Sequence, residues 1–187
     1  AYKYEDTIED NADGWIITGS PSSAYEEIDW MLKLEDKIRY LRRKGAYILG
    51  ICFGHQLIAK SLGGKVVLNP KGWELGSYNI KLTSSGMKSA ILSGLSNFSF
   101  VYQSHRDCVT TLPIDAIELA NNNKGIQAFS INDKIFGMQF HPEFTPSIIK
   151  KYVEIRKKKG ILADSEKNSK INDGALVLQN FIKLVSL

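Results

Sequence analysis

One cysteine and one histidine–carboxylate pair supply the residue types that acyl transfer needs. Cys52 stands in the run Gly50-Ile51-Cys52-Phe53-Gly54-His55-Gln56. An apolar stretch over 46–51 feeds into it, and a helical pattern follows to about residue 62, closed by Gly63-Gly64. A cysteine at a strand-to-helix junction, with glycine two positions to either side, fits a turn that holds a nucleophile in a strained backbone. A side chain at Gly50 or Gly54 would crowd such a turn. The thiol is then presented at the tip of a sheet and at a helix N-terminus, a position that favours anions.

Such a nucleophile needs a base, a group that orients the base, and an oxyanion hole. The chain has three histidines, His55, His105 and His141. His55, three residues past Cys52, suits packing better than proton transfer. His141 follows an apolar strand pattern, and the ends of parallel strands share one rim of a sheet. Glu143 comes two residues later, across Pro142, which stiffens the turn. The expectation is His141 as base, with Glu143 fixing its tautomer. The backbone N–H of Phe53 and one from the Gly19-Ser20 turn are the expected oxyanion donors.

The elements that must position these groups alternate. Residues 15–18 read as a buried strand, 27–43 as a helix, 46–51 as a second strand and 53–62 as a second helix. The apolar positions Ile28, Met31, Leu32, Ile38 and Leu41 place one face of the first helix toward the core. This order predicts an α/β fold, a flavodoxin-like open and mostly parallel sheet with helices on both faces. Strands follow at 65–68, 78–83 and 98–102, the first two separated by the Gly/Pro/Trp loop 69–76. Strands at 117–120 and 128–131, joined by the turn residues 121–125, form a small antiparallel addition. A strand at 134–140, a helix at 147–159, a polar connector at 160–173 and a helix at 175–184 complete the chain. The polar start, with its first strand only at residue 14, suggests that an upstream strand is missing.

At 187 residues, with 43% hydrophobic and 24% charged content, the chain reads as a single domain, 1–187, able to bury its own core. A net charge of +4 does not point to nucleic acid, and the cluster Arg156-Lys157-Lys158-Lys159 reads as a solvated helix C-terminus. No apolar run spans a bilayer. No metal-ligand spacing or phosphate-binding loop stands out, so neither a metal nor another cofactor is expected. A nucleophilic Cys52 must stay reduced, which points to the cytoplasm. Cys108 reads as structural, its neighbour Asp107 leaving a redox role open.

These motifs resemble the class I glutamine amidotransferases of the Cys-His-Glu type. The run 50–56 is similar to their Gly-x-Cys-x-Gly-x-Gln signature, His141-Pro142-Glu143 to their His-Pro-Glu, and Thr18-Gly19-Ser20-Pro21 to their oxyanion loop. Gln103-Ser104-His105-Arg106-Asp107 resembles the Ser-His-x-Asp segment of the GMP-synthetase-type branch, and the loop 69–76 resembles free-standing members of that branch. The resemblance implies that Cys52 attacks the side-chain amide of glutamine, that His141 relays a proton to ammonia, and that water then releases glutamate from a thioester. It implies substrate contacts from Gly19, Ser20, Phe53, Gln56, Ser104, His105 and Asp107. Asp107 would meet the α-ammonium. An ammonia-accepting synthetase is the implied partner.

The same triad serves a second reaction, hydrolysis of γ-glutamyl conjugates such as glutathione, as in the related γ-glutamyl peptidases. Free glutamine needs room only for ammonia beyond the scissile bond; a peptide needs an open cleft. A third reading, a non-catalytic binding module on the same fold, would gain ground if Cys52 and His141 stood too far apart to interact and nothing mobile could close the gap.

Overall fold

The structure, a computed structural model, describes residues 12–161 and 172–186. The start of the chain, where the missing upstream strand was inferred, and most of the polar connector lie outside the described residues.

Three short apolar strands build the part of the sheet that matters for the cysteine. They are β1 (Gly14–Ile17), β2 (Tyr47–Ile51) and β9 (Ile135–Met138). β2 pairs in parallel with β1 on one side and β9 on the other. Residues of β2 alternate between faces. Ile48 joins the core under α1 (Asp29–Arg43) and α2 (Phe53–Ser61), with Met31, Ile38, Leu57 and Ile58. Leu49 and Ile51 join the opposite core, with Val177 and Phe181 of α4 (Leu176–Val185). Helices therefore cover both faces, as the alternating pattern predicts.

The rest of the main sheet consists of β4 (Glu74–Leu82), β5 (Phe98–His105), β7 (Ala116–Asn122) and β8 (Gly125–Ile131). The strand order is β1-β2-β9-β8-β7-β4-β5, and every pairing beyond β9 is antiparallel. The α/β class stands, but the antiparallel part is larger than the expected small addition. Each antiparallel step reverses direction, so β5 again runs with β1, β2 and β9. Its C-terminal end, Ser104-His105, therefore faces the rim that carries Cys52.

A separate antiparallel pair joins β3 (Lys65–Leu68) to β6 (Asp107–Thr111) and seats Asp107 opposite Leu68. β6 was not foreseen from the sequence: it is short and polar in composition, and its burial does not alternate. Strands β4 and β5 also run further than expected, toward the rim. Met31, Ile38 and Leu41 of α1 face the core as expected, but the edge of the stripe differs. Ile28 and Leu32 are about two-fifths exposed, and Glu35 is buried instead. Lys60 at 2.8 Å and Arg39 at 3.4 Å satisfy that carboxylate. The helix α3 (Pro146–Lys158) buries only Ile149 and is capped by Thr145, whose Oγ1 accepts from the Ile148 N–H. No helix among the described residues is long and apolar enough to cross a membrane.

The β2–α2 turn is tight enough to dictate sequence. A Cβ on Gly54 would lie 2.1 Å from the Ile17 carbonyl oxygen, and one on Gly50 would lie 2.5 Å from the Gly54 backbone. Neither neighbour is a side chain that can swing away. Gly54→Ala should therefore lower stability by on the order of 3 kcal/mol or more, read as a shift in urea-denaturation midpoint. A near-neutral result would show that the turn yields.

Candidate active site

Cys52 sits between β2 and α2 with φ 53° and ψ −99°, a conformation that non-glycine residues rarely adopt. Two backbone bonds pin it: the Cys52 N–H donates to the Met138 carbonyl at 2.8 Å, and its own carbonyl accepts from Gln56 at 3.2 Å. The side chain is thereby turned out of the strand line. Phe53 opens the helix, so its N–H has no carbonyl one turn earlier in α2 to meet.

His141 follows β9, the parallel neighbour of β2, which brings it to the same rim. Its Nδ1 meets Glu143 Oε1 at 2.6 Å, and Cys52 is the other group that favours its charged form. The ring stacks on Phe144 at 4.0 Å between centroids and nearly parallel planes. The turn itself is fixed from two directions. The His141 N–H donates to Tyr102 of β5 at 2.8 Å, and Asn172 donates to the carbonyls of His141 and Phe144. Burial disfavours the charged ring, but its interactions with Cys52 and Glu143 outweigh burial and push the His141 pKa up to about 9. Gly19 completes this group from the end of β1: a Cβ there would meet the His141 ring at 3.2 Å and the Cys52 Cβ at 3.8 Å.

Beside Cys52 lies a cavity of about 240 Å³. Ser20, Phe53, Gln56, Ser104, His105 and Asp107, all singled out from the sequence, line it. Several of them are committed to the wall. Gln56 Nε2 donates to the Asp107 carbonyl and to Gln139 Oε1, both at 3.1 Å. His105 Nδ1 meets the Asp107 carbonyl at 3.0 Å, and its Nε2 lies 3.1 Å from Gln103 Oε1 and 3.2 Å from Glu74 Oε2. His105 thus braces the cavity rather than offering a ring nitrogen to a ligand. The Asp107 carboxylate accepts from Ser23 Oγ at 2.6 Å, and Ser104 Oγ is buried with no hydrogen-bond partner among the described residues.

Behind that wall is a buried polar cluster that the sequence did not reveal. Glu74 accepts from Asn122 at 2.6 Å and Gln127 at 3.0 Å, next to His105. Burial penalises its charge, yet His105 and the two amides outweigh burial and hold Glu74 below the usual carboxylate range. The only hint was its place beside Trp73, in a loop whose end proves to be the start of β4. Arg156 and Trp73 also line the cavity, so Arg156 does not belong to a purely solvated helix end.

His55 is fully buried against Phe129, and burial drives its pKa down to about 3, consistent with packing. Cys108 is buried within β6, and burial with the nearby Asp107 and Glu74 charges raises its thiol pKa. Among the described residues, no group of three His, Cys, Asp or Glu side chains is arranged to hold a metal ion.

The family model of glutamine amidotransferase class-I matches residues 1–157. The chain belongs to that family. It is 34% identical to gamma-glutamyl peptidase 3 of Arabidopsis thaliana over 149 residues, 78% of this chain and 60% of that protein. It is 37% identical to GMP synthase [glutamine-hydrolyzing] of Prochlorococcus marinus over 150 residues, 76% of this chain and 27% of that protein. The chain thus spans less than two thirds of either relative. Among solved structures, a glutamine amidotransferase from Thermotoga maritima superposes with a TM-score of 0.73 at 26% identity, covering 91% of this chain and 77% of that one.

The raised His141 pKa has a measurable consequence. Its stabilising charge is fully present below the unfolded-state value of 6.5 and is lost as pH rises through about 9. Stability should fall across that window by on the order of 1–3 kcal/mol, followed by urea denaturation at stepped pH. The slope should flatten in His141→Gln; an unchanged slope in that variant would assign it elsewhere.

Proposed function

We propose that the chain hydrolyses the side-chain amide of glutamine through a cysteinyl thioester, with Cys52 as nucleophile, His141 as acid and base, and Glu143 as the group that orients His141. The observation that carries this reading is the His141 ring, hydrogen-bonded to Glu143 at 2.6 Å and packed with Cys52 around Gly19, beside a cavity of amino-acid size. A non-catalytic module gains no ground from this arrangement, because Cys52 and His141 flank the same Gly19 position.

Cys52 Sγ adds to the γ-carbonyl carbon, and the oxygen takes the negative charge beside the N–H groups of Phe53 and the Gly19-Ser20 turn. With a pKa near 9, His141 carries its proton at neutral pH, so the proton that departing ammonia needs is already in place. The C–N bond breaks, ammonia leaves and the thioester remains. Water then adds to that carbonyl as His141 takes one of its protons. Collapse releases glutamate and returns sulfur to the resting pair.

Hydrolysis of γ-glutamyl conjugates uses the same steps with an amine leaving in place of ammonia. The likeness to the Arabidopsis gamma-glutamyl peptidase favours keeping it as the second reading. The likeness to GMP synthase supports a synthetase partner that takes up ammonia. A reduced thiol suits a cytoplasmic setting.

Purified protein incubated separately with glutamine and glutathione should release glutamate. Cys52→Ser and His141→Ala should each lower the rate by at least roughly 10³-fold, and Glu143→Gln by less. Hydroxylamine should divert the intermediate to γ-glutamyl hydroxamate. Release from glutathione alone would select the second reading; release that survives Cys52→Ser would overturn both.

A further inference from the structure

We infer that Arg156, held on Trp73, binds the α-carboxylate of the γ-glutamyl group, so that the cavity reads the amino-acid zwitterion with Arg156 and Asp107 together. This rests on the reading that Cys52 acts on γ-glutamyl amides, and it adds the residue that recognises the other end of the substrate.

Arg156 lines the Cys52 cavity together with Asp107, Ser104 and Trp73. Its guanidinium lies over the Trp73 ring, 4.8 Å from the centroid. That stack fixes the plane of the fork while leaving its in-plane N–H groups free to meet a carboxylate, an arrangement lysine does not reproduce. The end of α3 fixes the residue from the other side. The Ile161 N–H donates to the Arg156 carbonyl at 3.0 Å, and the Gly160 N–H donates to Lys157 at 2.9 Å. Gly160 has φ 74°. These are the bonds of a Schellman cap, which folds the residue after the glycine back toward the third-last helical position. Here those two residues are Ile161 and Arg156, and both line the cavity.

The charges around the cavity divide cleanly. Among the described residues that line it, Asp107 is the only carboxylate, and Arg106 and Arg156 are the arginines. Arg106 is half exposed and already lies 3.7 Å from Asp107. Among the described residues no carboxylate pairs with Arg156. A ligand that brings one ammonium and one carboxylate on the same carbon would satisfy both Asp107 and Arg156. The volume, about 240 Å³, lies below the roughly 300–1,000 Å³ of drug-sized sites and suits the γ-glutamyl unit that both substrates share.

The test deletes the carboxylate from the substrate as well as the arginine from the protein. L-Glutamine, glutathione and 4-aminobutanamide, which lacks the α-carboxylate, are compared on the full chain and on Arg156→Ala and Arg156→Lys. With glutamine and glutathione, Arg156→Ala should lower kcat/KM by roughly 10–100-fold, mainly through KM, and Arg156→Lys should recover part of it. With 4-aminobutanamide the wild type and Arg156→Ala should be equal. An equal loss on all three compounds would make Arg156 merely structural. A loss on glutathione alone would assign it to the distal carboxylate. Either result overturns the inference.

Calorimetry with L-glutamate separates this claim from the proposed activity. If the wild type hydrolyses neither amide, the activity fails, but L-glutamate should still bind roughly 10–100-fold more weakly to Arg156→Ala, with 4-aminobutanoate unaffected. Equal L-glutamate affinity in both proteins, or no binding to the wild type, overturns the clamp.

Discussion

The site depends on how closely α2 is pressed against the ends of β1 and β2. At Gly54 the helix backbone meets the Ile17 carbonyl, and Gly50 faces Gly54 across the turn. That contact leaves no room for a gradual exit from the strand. The chain turns within one residue, and that residue, Cys52, takes φ 53°. Backbone strain of this kind persists only where the surroundings over-determine it. Here a parallel neighbour supplies the Met138 carbonyl, and the helix supplies Gln56 N–H. The parallel pairing that creates the turn also carries Gly19 and His141 to the same rim.

Around this turn, burial and charge oppose each other in two places, and pairing prevails in both. His141 is nearly buried yet holds a proton strongly because Cys52 and Glu143 flank it. Glu74 is buried yet stays ionised because His105, Asn122 and Gln127 surround it. The second cluster stiffens the wall that carries Asp107: His105 and Gln56 both meet the Asp107 carbonyl. The orientation of Asp107 thus comes from the backbone as well as from Ser23. A buried polar network that is satisfied in this way rigidifies what it touches.

Much of this was legible in the sequence because the signals are local. The glycines flanking Cys52, the strand-to-helix switch and the His141-Pro142-Glu143 turn each declare their geometry within a few residues. The helix α1 was found at nearly its observed limits, and Met31, Ile38 and Leu41 face inward as expected, but Glu35 replaces Ile28 and Leu32, because it is buried by partners on α2 and on α1 itself rather than by its own polarity. β6 escaped notice because its pairing with β3 is non-local and its pattern weak. The extent of antiparallel pairing escaped for the same reason: strand direction depends on partners that local periodicity does not name.

By itself, the sequence determined which residues are the candidates for the chemistry and how the cysteine must be presented, since glycine spacing and residue type constrain the backbone at short range. Only the tertiary structure decided what stands around them. Strand order carries β5 and its Ser104-His105 end to the rim, the curl of the sheet lets Tyr102 hold the His141 turn, and the cap of α3 lays Arg156 on Trp73. Those placements come from contacts between elements far apart in the chain. Their energies arise when the surfaces meet, and no short stretch of sequence records them.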